Sequence, residues 1–258
     1  MTSLLRAIDT GLLTARRNVA VTAALAALHR TGQCPDTLRF HVYPRSVLIG
    51  RHQILTQAVN SIFCSRNGIE IARRITGGGA VFMSPGILAW DIVAERRRFG
   101  ATRKMAAAGI CEGLAAGVRR LGLPARYRPP NAIEIAGRKV CGAAGSFEGP
   151  TLTYQGTLLV AFDIHEMVGA LAQVDDQMTS VSEFVDRVPP MDEIKAAVTA
   201  GIAEACRADI THEALNAQER ALADRLFDEE IGSDAFVFDG AEAVAQPVGS
   251  SSMKESVP

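Results

Sequence analysis

Residues 73–81 read Arg73-Arg74-Ile75-Thr76-Gly77-Gly78-Gly79-Ala80-Val81, and the three successive glycines decide how the surrounding chain is read. Glycine inside a strand costs conformational entropy and packs nothing, and a flexible linker would be flanked by polar residues. Here the flanks are β-branched: Ile69, Ile71 and Ile75 before the glycines, Val81, Ile92 and Val93 after them. The stretch therefore predicts strands over 69–75 and 79–94, hinged at bare backbone. Such backbone lets a ligand lie against N–H groups that point at anionic oxygens. Arg73 and Arg74 add charge-assisted donors for a carboxylate or phosphate. No Gly-Lys-Ser/Thr follows, so the segment is not a P-loop. Taken alone it also reads as a β-bulge with solvated arginines.

Outward from this hinge, residues 18–29 are alanine-rich with leucines at helical spacing and predict a buried helix. Residues 38–49 predict two short strands around Pro44, and 59–67 one or two helical turns. Residues 102–121 carry the clearest helical pattern, with Met105, Ile110, Leu114 and Val118 apolar and Gly122 at the stop. Strands of a meander are predicted over 132–136, 139–141 and 151–162. Helices follow over 192–207 and 214–226. Strands and helices without strict alternation favour an α/β fold with a mixed sheet flanked by helices. The catalytic unit is placed at 1–240, and 241–258, low in aromatics and holding Gly249-Ser250-Ser251-Ser252, reads as a disordered tail.

Of 258 residues, 48% are hydrophobic and 21% charged, which excludes disorder as the dominant state. Lys+Arg (27) and Asp+Glu (28) nearly cancel, so binding of nucleic acid through bulk charge is not expected. Cys34, Cys64, Cys111, Cys141 and Cys206 are scattered singly and form no CxxC pair, so no structural metal site is expected and free thiols in a reducing cytoplasm are. No secretory signal or membrane span is read near the N-terminus.

A second segment is Gly137-Arg138-Lys139-Val140-Cys141-Gly142. A lysine in a short apolar strand after a tight turn can point into a cleft and stabilise charge on an acyl phosphate, although the segment taken alone reads better as a surface lysine on an edge strand. A third is Gln155-Gly156-Thr157-Leu158-Leu159. In this order, with Asn18-Val19-Ala20, Gly50-Arg51-His52-Gln53 and Asn131, the segments resemble the lipoate–protein ligase family, related to biotin–protein ligases, over residues 18–160.

That resemblance implies a central mixed sheet and a fatty acid lying in an apolar tunnel beside Gly77, Gly78 and Gly79. It implies activation of lipoate or octanoate by ATP and Mg²⁺ to an acyl-adenylate, then transfer to a lysine of a lipoyl-domain carrier. That carrier would be H-protein-like or a dehydrogenase-complex subunit. By position, Arg74 and Thr76 would contact the acyl-adenylate, Gly78 and Gly79 would pack along it, and Lys139 would be catalytic, binding carbonyl and phosphate oxygens. Val81, Asn131, Gly142, Gln155, Gly156 and Thr157 complete the implied binding set. The family often carries a small accessory domain, fused or as a separate chain; here either the protein works without it or a separate polypeptide supplies it.

Three positions depart from the pattern: Ala132 replaces the aspartate of an Asn-Asp pair, Met83 a histidine, and Gln155 the histidine of His-Gly-Thr. Two other functions therefore stand beside the ligase. One is an octanoyltransferase that moves octanoate from acyl carrier protein through a cysteine thioester. Such relatives place their cysteine where this chain has Arg126–Pro130, leaving Cys141, expected on the same face as Lys139, as the candidate nucleophile. The other is a non-catalytic binder of lipoyl domains or acyl groups. Arg96, Arg97, Arg98, Arg103 and Lys104 form a basic run that either is solvated or steers an acidic carrier.

Overall fold

The computed structural model describes residues 3–175 and 177–238. The expected tail over 241–258 lies outside them. An eight-stranded mixed sheet forms the frame, built from β1 (Ser3–Leu12), β2 (Thr37–Val42), β6 (Ile87–Glu95), β7 (Arg126–Arg128), β8 (Ala132–Ile135), β9 (Arg138–Glu148), β10 (Thr151–Leu159) and β11 (Ala208–Glu213). Their order is β11-β1-β2-β6-β10-β9-β8-β7, parallel at β11-β1-β2 and antiparallel from β2 onward. A three-stranded sheet, β4-β3-β5, is made by β3 (Ser46–Ile49), β4 (Glu70–Arg73) and β5 (Val81–Met83). The expected mixed sheet flanked by helices is the architecture observed.

Alternation along the central strands sorts the side chains onto two faces. Phe40, Trp90, Ile92, Tyr154 and Leu158 are buried in one core with Ile110 and Leu114 of α4 (Arg103–Arg120) and Val198 and Ile202 of α6 (Met191–Cys206). These two helices approach closely because small residues meet: a Cβ on Gly113 would lie 3.0 Å from the Gly201 carbonyl oxygen, and one on Gly201 only 2.2 Å from that of Gly113. Over the opposite face lie α1 (Ala15–Arg30) and α7 (Ala217–Leu226). There the buried Arg6 of β1 is clamped by Glu219 of α7 at 2.6 Å. The small sheet has its own core with α2 (Leu55–Ala58), α3 (Ser61–Arg66), α5 (Ile164–Ala170) and α8 (Asp234–Phe238), through Val47, Ile49, Cys64, Phe82, Met167 and Val237.

The helices expected over 18–29, 102–121 and 192–207 are observed, and Thr102 caps α4 by accepting from the Met105 N–H at 3.2 Å. Two expectations are corrected. The strand expected over 79–94 is two strands in different sheets. They part at Gly86, which passes so close to Ala161 that a Cβ would sit 1.8 Å from its carbonyl oxygen. The strand expected over 139–141 runs on to Glu148, because its glycines are packing positions rather than stops: a Cβ on Gly145 would meet the Tyr154 ring at 2.3 Å.

Candidate active site

The glycine hinge is held from below by its own arginines. Arg74 is buried, and its guanidinium donates to the carbonyls of Leu48 at 2.7 Å, Gly77 at 3.0 Å and Gly79 at 2.8 Å. Arg73 is 1% exposed and donates to the carbonyls of Gly50, Arg51 and Gln53 and to Val237 of α8. Among the described residues neither arginine forms a salt bridge with a carboxylate. Burial lowers both guanidinium pKa values, that of Arg74 to about 10, so both stay charged at neutral pH. The hinge thus carries two buried positive charges matched only by carbonyl dipoles, a field that favours an anion in the adjoining space.

Gly78 turns through φ +96, and a Cβ there would stand 3.2 Å from the Ala144 Cβ and 3.3 Å from an Arg74 nitrogen. Gly78→Val is accordingly expected to cost about 1–3 kcal/mol of stability through backbone strain. It should also weaken ligand binding at least tenfold by displacing the loop. Thermal unfolding and lipoate calorimetry check this, and normal binding would reduce the segment to a structural bulge.

Lys139 owes its place to two devices in the β8–β9 hairpin. The two-residue connection Ala136-Gly137 has φ of 51 and 78, the backbone of a tight hairpin turn with the right twist. Then the register slips: Glu134 pairs with Lys139 but Ile133 pairs with Cys141, leaving Val140 as a bulge. The bulge moves the pocket-facing parity by one residue, so Lys139 and Gly142 share a face. A Cβ on Gly142 would lie 3.2 Å from the Lys139 Nζ, so the ammonium rests over bare backbone. Residues 177–179 run beside Lys139 and exchange backbone hydrogen bonds with it, and Asp175 places a carboxylate oxygen 3.9 Å from Nζ.

A cavity of about 510 Å³ lies between the hinge, the sheet face and residues 171–175 and 178. Arg74, Thr76, Gly78, Gly79, Val81, Asn131, Lys139, Gly142, Gln155, Gly156 and Thr157 line it, as does Met83. Gly77 and Cys141 do not; Gly77 contributes its carbonyl to Arg74 instead. The expectation that Cys141 faces the same way as Lys139 is therefore corrected, and the bulge is the reason. Its thiol is 1% exposed in the core, and burial pushes its pKa far above the ordinary thiol value, against a nucleophilic role. No cysteine is among the residues lining this cavity. The basic run is corrected in part: Arg98 is tied to Asp36, to Ser3 and to the Leu4 carbonyl, and Arg96 stacks over Phe147 at 4.7 Å. Arg96, Arg97, Arg103 and Lys104 are exposed.

His41, Tyr43 and Asp91 also line the cavity and were not read from the sequence as site residues. Asp91 is 1% exposed and anchors a chain of buried polar contacts. It accepts from Arg39 at 3.1 Å, Thr22 at 2.7 Å and the Gln155 amide at 2.8 Å, while the Gln155 oxygen accepts from Thr76 at 2.7 Å. Asn18 joins the chain through Arg39 and ties α1 to the Leu13 and Val42 carbonyls. The Gln155 that departs from the family pattern is thus fixed on both sides. Asp91 and Asp175 supply carboxylates at a cavity whose Asn131 is followed by the buried Ala132. Among the described residues no group of three or more His, Cys, Asp or Glu could hold a metal ion, and no helix is long and apolar enough to cross a membrane.

The cavity thus has a polar floor and a cationic end, and it is set on a mixed sheet beside a glycine hinge. Residues 14–203 match the lipoyl protein ligase A/B catalytic domain, and the chain belongs to that family. It is 30% identical over 233 residues to lipoate-protein ligase A subunit 1 of Thermoplasma acidophilum, an alignment covering 81% of this chain and 87% of that protein. It is also 27% identical over 189 residues to octanoyltransferase LipM of Moorella thermoacetica, covering 64% and 68%. A solved lipoate-protein ligase A bound with ATP superposes with a TM-score of 0.82 at 26% identity, covering 93% of this chain and all of that one. The bipartite lipoate protein ligase of T. acidophilum, solved in work that includes its E2 lipoyl domain, gives a TM-score of 0.83 at 26% identity, covering 96% of this chain and all of that one.

Proposed function

We propose that the protein is an ATP-dependent ligase that attaches lipoate or octanoate to a lysine of a lipoyl carrier domain through an acyl-adenylate. One observation carries the choice over the transferase: the cavity holds a lysine and a buried uncompensated arginine, and no cysteine lines it. A thioester route needs a thiol at the acyl carbon, whereas an adenylate route needs cations where negative oxygens gather. In the first step the acid's carboxylate oxygen attacks the α-phosphorus of ATP and pyrophosphate leaves. In the second the carrier amine attacks the acyl carbon, loses a proton, and AMP leaves with the bridging oxygen.

In this reading Lys139 contacts the carbonyl and phosphate oxygens, stabilising charge that grows in both transition states. Arg74 shapes the hinge through three carbonyl contacts and lends its charge, while the backbone of Gly78 and Gly79 lies along the acyl-adenylate. Gly77 holds its end of that brace. Thr76, Gln155, Gly156 and Thr157 form the polar floor, Val81 the apolar wall, Asn131 and Gly142 the edge by Lys139. Mg²⁺ would enter on the nucleotide phosphates, with the Asp175 carboxylate, 3.9 Å from the Lys139 Nζ, beside it, the sparse protein ligation usual for that ion. The likeness to a bipartite ligase supports a separate accessory polypeptide as partner, and the exposed Arg97, Arg103 and Lys104 support a carrier with an acidic rim.

The direct test of the first step is to incubate the protein with lipoate, ATP and Mg²⁺, without a carrier. Lipoyl-AMP and pyrophosphate are expected; an octanoyl adduct on the protein from an acyl-carrier donor, with no adenylate, would favour the transferase. Cys141→Ala should keep its adenylation rate within about twofold, since Cys141 is buried in the core and is not among the residues lining the cavity. A collapse of that rate with an unchanged unfolding curve would restore the nucleophile.

A further inference from the structure

His41 is the residue the proposed mechanism leaves unused. It lines the cavity, is 1% exposed, and its Nδ1 has no hydrogen-bond partner. Asp91 stands 3.8 Å away, beyond hydrogen-bonding distance, and is engaged by Arg39, Thr22 and Gln155. Tyr43 meets the ring edge-on, with centroids 5.1 Å apart. Burial and the nearby Arg39 push the imidazole pKa down to about 3, so the ring is neutral at pH 7. Several buried side-chain polar atoms lack partners among the described residues, but only this one belongs to a residue lining the cavity.

Strand register gives His41 a defined place relative to Lys139. His41 pairs with Ala89, Ala89 with Thr157, and Thr157 with Gly142, so these four residues form one row across β2, β6, β10 and β9. All four line the same cavity. Three inter-strand steps make the row roughly 14 Å long, and the Lys139 ammonium stands over its Gly142 end. Between the ends lie only a glycine, a threonine and an alanine, a shallow trough. An extended eight-carbon acid spans roughly 9 Å, from seven carbon–carbon bonds of about 1.5 Å. With its carboxylate on Lys139, its tail ends against the imidazole.

Resting on the ligase reading, we infer that the acyl chain lies across the strands from Lys139 to His41, and that His41 selects a lipoyl tail over an octanoyl tail. Octanoate ends in methylene and methyl groups, which would cover a buried imidazole and leave its polar edge without a partner, an unfavourable arrangement. Lipoate ends in two sulfurs, which are polarisable, accept weak hydrogen bonds and pack well at aromatic edges. The same position filled by an apolar side chain would not distinguish the two.

The test is calorimetric binding of lipoate and octanoate to wild type, His41→Leu and His41→Phe, with folding checked by circular dichroism. Wild type is expected to bind lipoate about tenfold more tightly. His41→Leu should bring the two acids to within about twofold, chiefly by tightening octanoate. His41→Phe, which keeps the ring and loses the nitrogens, should fall between. A lipoate preference lost in His41→Leu supports the inference even where no adenylate forms with ATP. Equal binding by wild type, or a preference unchanged in a folded His41→Leu, overturns it even where the adenylate does form.

Discussion

Lys139→Ala is expected to lower acyl transfer a hundredfold or more, about 3 kcal/mol of lost transition-state stabilisation, while the protein unfolds at the wild-type temperature. The two halves of that result have separate causes. The side chain is 29% exposed and, among the described residues, its ionic neighbour is Asp175 at 3.9 Å, a loose pair of little worth to stability. Its backbone, by contrast, keeps its hydrogen bonds to residues 177 and 179 whatever the side chain. Steady-state rates with saturating carrier measure the loss, and calorimetry the stability. Wild-type turnover in the variant would remove Lys139 from the chemistry, and a matching drop in melting temperature would make its role structural.

The largest stability effect is expected at Asp91. Removing this carboxylate leaves Arg39, 0% exposed, as a buried charge without its ion-pair partner. Breaking a buried pair from one side costs about 3–5 kcal/mol, a large share of the 5–15 kcal/mol that holds a typical domain. Asp91→Leu should therefore unfold at much lower urea. The double variant Arg39→Met/Asp91→Leu should regain most of the loss, because it removes both charges and fills the space with apolar atoms. Denaturant midpoints for both variants decide it. A single variant within 1 kcal/mol of wild type would mean that the network around Gln155 and Thr76 does not depend on Asp91.

Regular periodicity and turn chemistry made much of this molecule legible in advance. Residues 102–121 show apolar spacing and a closing glycine; in α4 Ile110, Leu114 and Val118 are buried, Met105 is exposed, and Gly122 turns through φ +81 just past the helix. The glycine hinge was legible because three glycines are poorly suited to an ordinary strand, whereas Lys139, which alone reads as a surface lysine of an edge strand, stood out only through the family resemblance. What escaped was set by tertiary partners. β1 carries Arg6 and Asp9 in its length, which obscures alternation, and only Glu219, more than two hundred positions away, makes burial of Arg6 tolerable. β11 is a polar edge strand whose pairing with β1 a local pattern cannot reveal. His41 and Asp91 look like outward polar residues of amphipathic strands until α1 and the small sheet cover that face. The error at Cys141 has the narrowest cause: a single bulged residue, Val140, reverses the parity on which a same-face argument rests.

The most direct measurement of the central claim is the intact mass of a lipoyl domain after incubation with this protein, run with the chain alone and again with a separate accessory polypeptide. Donors are lipoate with ATP and Mg²⁺ in one arm and octanoyl acyl carrier protein without nucleotide in the other. The account predicts a gain of one lipoyl group in the ATP arm, abolished by Lys139→Ala and preserved in Cys141→Ala, and no gain in the other arm. Octanoylation without nucleotide, and none with ATP, would contradict it.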